Sequence, residues 1–291
     1  MKVRPDFLII GSMKCGTTTL YNDIEQLKQV YLPSEKEPDI LFKCTQAEEI
    51  RKEYCRHFSG CESGLITGEA STVYSKLPES KGVAERAKAL CGEDLKIIMI
   101  MRDPIQRIYS HLRHDLGEKR IRLKDINQVV LRDKKYVNYS NYPMQLEPWI
   151  ASFGKESILC IKFQDLNSDR ASVLRSVARH IGVDFSFKTD NVDLQSVKNK
   201  SSERLRTNKV AKVVINSSMY RNLIRPRLSD RLRNELRKSL LPKANIPTFA
   251  LEEKVELELR RRFENFDQIM DDLVGKYSTM EGGALATDSA Q

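Results

Sequence analysis

The sequence of 291 residues contains no apolar run of about twenty residues, the length that a membrane-spanning helix needs. We therefore expect no membrane span. The six residues before the first apolar run are too few for a secretory signal peptide. No internal repeat is visible, so a repeat architecture is not expected.

Metal-ligating residues are few and scattered. The chain has six cysteines and four histidines, with no Cys-x-x-Cys pair and no clustering of the two residue types. We therefore expect no metal site, and free thiols in a reducing, cytoplasmic compartment. Cys44, Cys55 and Cys61 lie close enough in sequence to leave one disulfide open.

Acidic residues are scarce in one segment only. Residues 198–243 hold 14 Lys and Arg against 3 Asp and Glu, a local charge of +11, whereas the whole chain carries +9. Such a segment is either a solvated helical face or a field that attracts a polyanion. It contains one aromatic residue, Tyr220, so a stacking surface for nucleic acid is not expected.

Short apolar runs alternate with amphipathic stretches. Strands are predicted at residues 7–10, 95–101 and 157–162, and a short strand that ends in a polar loop at 65–74. Helices are predicted at 20–30, 46–57, 78–90, 104–116, 141–153, 171–181 and 251–273. Near-continuous apolar strands are typical of a parallel sheet that is covered on both faces. We predict an α/β fold with a mostly helical C-terminal part, a single domain over residues 1–277 and a disordered tail over 278–291.

The first strand ends in a glycine-rich turn that opens a hydroxyl-rich helix. Gly11 and Gly16 have the spacing of the nucleotide-binding motif G-x-x-x-x-G-K-[ST], but position 17 is Thr and the only nearby lysine is Lys14. A turn of this kind directs backbone N–H groups and a helix N-terminus at an anion. The sequence therefore predicts a phosphate site whose cation lies within the turn.

A second polar pattern follows the most apolar strand, where Arg102, Asp103 and Pro104 begin a helix that carries Ser110. Pro is favoured in the first turn of a helix. The Arg102 guanidinium and the Ser110 hydroxyl, two helical turns further on, are suited to hold a second phosphate. Asp103 resembles a metal-binding acid, but the neighbouring Arg102 argues against a metal there.

These two patterns resemble the phosphate motifs K-x-G-T-[TS] and R-[DN]-P-x-x-R-x-x-S of the sulfotransferases, which use 3′-phosphoadenosine 5′-phosphosulfate (PAPS). The resemblance implies a P-loop-like parallel sheet flanked by helices. It implies that Lys14 contacts the bridging oxygen of the leaving phosphosulfate. Residues 198–202 occupy, by order and composition, the place of a loop that closes over the nucleotide. The cofactor-binding residues implied are Lys14, Cys15, Gly16, Thr17, Thr18, Thr19, Arg102, Ser110, Lys200 and Ser201.

The acceptor side is also implied by resemblance. Lys36-Glu37 resembles the K-E-x-x-[FY]-F segment of heparan-sulfate and related bacterial sulfotransferases, whose glutamate is the catalytic base. Glu37 is then the predicted base, with Glu35 as the fallback if the register slips. His111 and His114 are the alternative, because cytosolic aryl and steroid sulfotransferases use histidine.

A further segment, G-E-[KA]-[ST]-x-x-Y in the family, places Glu69, Ser71 and Tyr74 on the substrate side. The family lysine beside the glutamate is Ala70 here. Tyr142, Leu146 and Trp149 match a family helix, and the last two are expected to pack in the core.

These patterns predict a PAPS-dependent sulfotransferase that needs no metal. Its acceptor would be a hydroxyl or amine of a neutral or anionic saccharide or small natural product. The sequence does not indicate an oligomeric state. Two alternatives stay open. One is a P-loop kinase of a small molecule, disfavoured because Thr17 replaces the lysine that reaches the terminal phosphates. The other is a non-catalytic basic protein that binds a polyanion.

Overall fold

The computed structural model describes residues 3–186, 192–194 and 247–277. Lys200, Ser201, the basic segment 198–243 and the tail at 278–291 lie outside the described residues. The strands are β1 (Phe7–Gly11), β2 (Val30–Tyr31), β3 (Ile66–Ala70), β4 (Lys96–Met101) and β5 (Ile158–Lys162). They form one parallel sheet in the order β2-β3-β1-β4-β5.

Helices connect these strands, and the helices of the described residues are numbered in chain order. They are α1 (Thr17–Ile24), α2 (Ile40–Lys43), α3 (Ala47–His57), α4 (Val83–Cys91), α5 (Pro104–Gly117), α6 (Ile126–Arg132), α7 (Lys135–Asn138), α8 (Tyr142–Phe153), α9 (Phe163–Ser168), α10 (Arg170–His180), α11 (Glu253–Arg262) and α12 (Phe266–Tyr277). Within the part of the chain that the structure covers, no helix has both the length and the apolarity to cross a membrane.

The central strands are buried on both faces, as their near-continuous apolar sequences predict. On one face, Ile97 and Met99 of β4 pack in a cluster with residues of α4, α8 and α12. On the other face, Ile98 and Ile100 pack with residues of α1 and α10. The alternation follows the two-residue period of a strand, and it places a helical layer on each side of the sheet.

The strands point the same way, so their carboxyl ends meet at one edge of the sheet. The turn at residues 12–16 follows β1, a 3-10 turn (Thr72–Ser75) follows β3, Arg102 follows β4 and α9 follows β5. Ligands of open parallel sheets bind at this edge. The fold therefore gathers both predicted phosphate motifs in one place.

Three helix predictions differ from the structure. The helix predicted over residues 78–90 begins only at Val83. The helix after the turn ends at Ile24 instead of continuing to residue 30, because Val30 pairs with Ile66 in the sheet. The single helix predicted over residues 251–273 is two helices, α11 and α12. Leu259 of α11 packs with residues of α5 and α6, whereas Met270 of α12 packs on the sheet. One straight helix does not reach both clusters.

The cysteines all lie within the described residues, and none of them forms a disulfide. The bridge left open among Cys44, Cys55 and Cys61 is therefore not formed. Leu146 and Trp149 are buried in the core cluster beneath the sheet, as predicted.

Candidate active site

The turn after β1 forms a cradle at the N-terminus of α1. Lys14 and Gly16 both adopt left-handed backbone conformations, with φ of 73° and 89°. The Cys15 N–H donates to the Ser12 carbonyl over 3.1 Å, which closes the turn. Gly16 is the N-cap of α1, which has no side-chain cap and no acidic residue in its first turn. The first amides of α1 and the positive end of its dipole therefore favour an anion.

Gly16 is required by space as well as by conformation. A Cβ built on Gly16 would lie 3.0 Å from ring carbon Cε2 of Phe163 and 3.0 Å from a methyl of Leu166. Both residues belong to α9, which follows the edge strand β5, two strands away from β1. The turn therefore packs between α1 and α9, and a larger side chain at position 16 would clash with α9. Its conformation depends on contacts with residues far away in the sequence.

Arg102 lies beside this cradle, at the end of β4. Its guanidinium contacts the Gln106 side-chain oxygen at 3.3 and 3.2 Å, and its Cζ lies 4.8 Å from the centre of the Phe163 ring. Asp103 caps α5, because its carboxylate accepts from the Gln106 N–H at 2.7 Å. Ser110 follows Gln106 by one helical turn and is half-buried on the same face. Arg102 and Ser110 thus lie on one side of α5.

Tyr142 connects the two motifs. Its hydroxyl accepts from the Arg102 N–H at 3.1 Å and donates to the Arg102 carbonyl at 2.7 Å. The same hydroxyl lies 3.7 Å from Cys15 Sγ. Burial raises the pKa of the Cys15 thiol to about 11, so Cys15 packs the cradle as a neutral thiol.

Glu37 lies at the rim of the cradle. Its carboxylate pairs with Lys36 Nζ at 3.0 Å, and the same Nζ lies 3.5 Å from Thr17 Oγ1 at the start of α1. Thr72, which follows β3, donates to the Glu37 carboxylate over 3.5 Å. The Glu37 side chain is 45% exposed, so an acceptor can reach it. The structure therefore brings Glu37 to the cradle without burying it.

Glu69, Ser71 and Tyr74, the residues predicted on the substrate side, are buried. Each is at most 1% exposed. The Ser71 and Tyr74 hydroxyls both donate to the Glu69 carboxylate at 2.6 Å. Their polar atoms face one another inside the protein, so the geometry does not support direct contact of these three residues with an acceptor. The three residues lie behind Glu37, and their role on the substrate side stays a prediction.

The other candidate bases are less favourably placed. Glu35 is exposed, and its charge acts on His57 of α3. His111 is 3% exposed and lies between the rings of Tyr136 and Tyr139, with centroid distances of 4.7 and 6.0 Å. Burial, aided by the Arg107 charge, lowers the pKa of His111 to about 2. His111 is therefore an enclosed neutral ring. His114, one turn further along α5, is half-buried.

Lys36 and Tyr142 join parts of the site in ways that sequence reasoning did not assign. The sequence patterns include Lys36 only as the neighbour of Glu37, and Tyr142 only as one position of a helix pattern. Arg107, a fixed position of the second motif, is fully buried and donates to the Tyr136 carbonyl at 2.8 Å and to Ser140 Oγ at 2.5 Å. Arg107 therefore stabilises the turn at residues 136–140. Its place in the second motif is the sequence signal for this structural role.

A metal ion has no evident place at this site. Within residues 3–186, 192–194 and 247–277, no group of three or more His, Cys, Asp or Glu side chains is arranged to hold one. The cations around the cradle, Lys14, Lys36 and Arg102, suit an anionic ligand.

A family model for the sulfotransferase domain matches residues 4–243. Among curated proteins, the mouse bifunctional heparan sulfate N-deacetylase/N-sulfotransferase 4 is 26% identical over 62% of this chain and 22% of its own length. The membrane-associated sulfotransferase kil1 of Dictyostelium discoideum is 32% identical over 36% of this chain and 22% of its own length. The chain thus matches about a fifth of the length of these relatives.

Solved structures share the fold. A sulfotransferase from Alicyclobacillus acidocaldarius superposes with a TM-score of 0.57 at 24% identity, over 69% of this chain and 88% of that one. Mouse sulfotransferase SULT7A1 complexed with PAP superposes with a TM-score of 0.50 at 15% identity, over 96% of this chain and 90% of that one. The parallel sheet with its flanking helices is therefore an arrangement that sulfotransferases use.

Proposed function

The chain belongs to the sulfotransferase domain family, and from this premise we propose that it transfers a sulfuryl group from PAPS to a hydroxyl or amine. The observation that carries the proposal is the meeting of three features at one sheet edge: the cradle, the Arg102 guanidinium and the exposed Glu37 carboxylate. A protein that only binds anions has no use for Glu37 at this rim, and a P-loop kinase is disfavoured because Thr17 replaces the lysine that reaches the terminal phosphates.

The residues at the edge fit PAPS, which when bound supplies the sulfuryl group together with its nucleotide leaving group. Lys14 and the amides of Gly16 to Thr18 would hold the 5′-phosphosulfate, with the Thr19 side chain beside them; the Thr19 amide donates to the Gly16 carbonyl at 2.9 Å. Arg102 and Ser110 would hold the 3′-phosphate, since a guanidinium binds phosphate through paired N–H groups. Lys200 and Ser201 are expected to contribute from outside the described residues. The PAP of the mouse structure supports this choice of nucleotide.

Glu37 would act as the general base. Its carboxylate takes the proton that the acceptor loses as its oxygen or nitrogen attacks sulfur. Lys36 Nζ lies 3.0 Å from Glu37 Oε1 and 3.5 Å from Thr17 Oγ1, so it links the carboxylate to the start of α1. Lys14 and the cradle amides offset the charge that grows on the leaving phosphate, and they are in place before the reaction.

For the acceptor, we propose a hydroxyl or amine of a saccharide or a small natural product. The support comes from the Glu37 segment and from the mouse relative, whose name includes heparan sulfate N-sulfotransferase. The coverage of that relative is partial, so its substrate comes to this chain only as the first class to test.

A thermal-shift comparison tests the nucleotide. We expect adenosine 3′,5′-bisphosphate to raise the melting temperature more than ATP with Mg²⁺, because only the former has a 3′-phosphate for Arg102. The preference is expected to vanish in Arg102→Ala and to persist in Arg132→Ala, a control on the exposed surface of α6. Stabilisation by ATP–Mg²⁺ alone would instead favour a kinase. Transfer from labelled PAPS to a panel of saccharide and small-molecule acceptors then tests the reaction.

A further inference from the structure

Glu69 is a buried carboxylate at the end of β3. It is 1% exposed, and it accepts three hydrogen bonds: from Tyr54 at 2.5 Å and from Ser71 and Tyr74 at 2.6 Å each. Burial raises the pKa of Glu69, while the three hydroxyls oppose that rise. A charge-bearing group in a core is costly unless its hydrogen bonds are complete, and here they are. The sulfuryl-transfer scheme above does not use Glu69.

Two of the three hydroxyls also bind the chain that carries Glu37. Ser71 Oγ accepts from the Asp39 N–H at 3.1 Å, and Tyr74 Oη accepts from the Leu41 N–H at 3.0 Å. Tyr54 makes no such bond among the described hydrogen bonds. The hydroxyls of Ser71 and Tyr74 thus donate to Glu69 and accept from backbone amides of one short segment, residues 37–41. Glu69 therefore orients the two hydroxyls that bind this segment.

That segment needs outside support. Glu37 and Asp39 have φ of 59° and 60°, a left-handed conformation that residues with side chains rarely adopt. Each such residue costs about 1 kcal/mol or more and persists only when its surroundings fix it. The Glu37 N–H is fixed by the carbonyl of Ala70, next to Glu69, at 3.0 Å. The amides of Glu37, Asp39 and Leu41 are thus all held by residues at the end of β3 or just after it, while Arg86 of α4 donates to the Leu41 carbonyl at 2.7 Å.

We propose that Glu69 is a positioning residue for Glu37, acting through Ser71 and Tyr74. The buried carboxylate orients the two hydroxyls, the hydroxyls hold the amides of Asp39 and Leu41, and these amides keep Glu37 at the rim of the cradle. The proposal rests on the proposed function, because it assumes that Glu37 is the base. It assigns to Glu69 an effect on the placement of the base in addition to its effect on stability.

The chain offers a matched pair of variants. Tyr74→Phe and Tyr54→Phe each remove one hydroxyl from the same carboxylate, but only Tyr74 also holds an amide of residues 37–41. We expect Tyr74→Phe to lower kcat about 10- to 100-fold, because misplacing a catalytic group by about 1 Å has effects of this size. Tyr54→Phe is expected to lower the melting temperature about as much as Tyr74→Phe does. It is expected to leave kcat within about twofold, because the amides of residues 37–41 keep their hydrogen bonds to Ser71 and Tyr74. The thermal shift with adenosine 3′,5′-bisphosphate is expected to be unchanged in both.

A double-mutant cycle with Glu37→Gln separates positioning from general damage. Once the base is absent its placement no longer matters, so Tyr74→Phe is expected to cause no further loss of kcat in the Glu37→Gln background. Equal kcat losses in Tyr74→Phe and Tyr54→Phe, or a full additional loss in the double variant, would overturn the positioning role. Unchanged turnover in Glu37→Gln would overturn the base assignment itself. The two failures are therefore distinguishable.

Discussion

The two sides of the site are built differently. On the nucleotide side, Gly16 and Arg102 lie within a few residues of the ends of β1 and β4. The sheet therefore determines their positions. On the acceptor side, Glu37 lies in a connection between β2 and α2, and hydroxyls and a carbonyl that follow Glu69 hold its backbone. The difference teaches that the proposed nucleotide site is fixed by topology, whereas the position of Glu37, the proposed base, is fixed by a few hydrogen bonds. Losses of binding and losses of turnover are therefore expected to separate.

The largest separation is expected for Glu37→Gln, which keeps the shape of the side chain and removes its basicity. Turnover is expected to fall about 10²- to 10⁴-fold, the usual contribution of a positioned base. Binding of adenosine 3′,5′-bisphosphate, measured by calorimetry, is expected to stay near that of the unmodified protein. Glu35→Gln is the control and is expected to cost little. If Glu35→Gln abolishes turnover and Glu37→Gln does not, the base is Glu35.

Lys14→Ala affects the point where the two sides meet. Because Lys14 is expected to contribute most when charge grows on the leaving phosphate, turnover is expected to fall about 10²- to 10³-fold, equivalent to about 2.7–4 kcal/mol. Binding of the desulfonated nucleotide is expected to weaken much less. Lys52→Ala, which removes an exposed lysine of α3, is the control. Turnover equal to that of the control would remove Lys14 from the mechanism.

Arg102→Ala is expected to show the reverse pattern, with binding lost and chemistry retained. Removing a hydrogen-bonded charge typically costs about 1.5–3 kcal/mol, or roughly 10- to 150-fold in affinity. The preference for a 3′-phosphorylated over a plain nucleotide is expected to disappear, while kcat at saturating PAPS changes little. Calorimetry with both nucleotides measures the preference. A preference that survives would place the 3′-phosphate elsewhere.

The smallest effect is expected at His111, which lies beneath the site and belongs to neither side. Its pKa is lowered to about 2 by burial and by Arg107, while Asp115 opposes this and Lys135 and His114 add to it. The unfolded chain binds a proton near pH 6.5 and the folded chain does not, so the stabilising effect is complete above pH 6.5 and is lost as the pH falls.

Lowering the pH from 7.5 to 5.0 is expected to cost about 2 kcal/mol of unfolding free energy through this residue. His111→Phe is expected to be less sensitive to acid in urea titrations at the two pH values. The same variant is expected to retain turnover. A large loss of kcat without loss of stability would revive histidine as the base.

Much of the nucleotide side could be predicted because its determinants are local. An apolar strand, a glycine that permits positive φ and a proline at the first position of a helix can each be read within a few residues. The phosphate motifs at Lys14 and Arg102 accordingly lie at neighbouring strand ends, as the sequence predicted. Their roles toward PAPS stay predictions.

The remainder depends on contacts between distant residues. The resemblance of residues 68–74 to a family segment does not show that Glu69 is buried, which depends in part on Tyr54 of α3. The amphipathic pattern continues from α11 into α12. The helix is nevertheless interrupted between them, because Leu259 and Met270 pack in separate clusters. Neither burial nor the choice of cluster can be read from a local pattern.

The bonds of Tyr142 to both motifs have a consequence for how strongly a nucleotide can be held. With one hydroxyl bonded to Arg102 and 3.7 Å from Cys15, the sites expected for the two phosphate groups are held at a fixed spacing before any ligand arrives. Once one phosphate of a nucleotide binds, the other meets its site at a high effective concentration. The two phosphate sites then act as a chelate for the nucleotide. Their combined affinity exceeds the affinity expected from two independent contacts. A nucleotide with one phosphate gains nothing from this spacing.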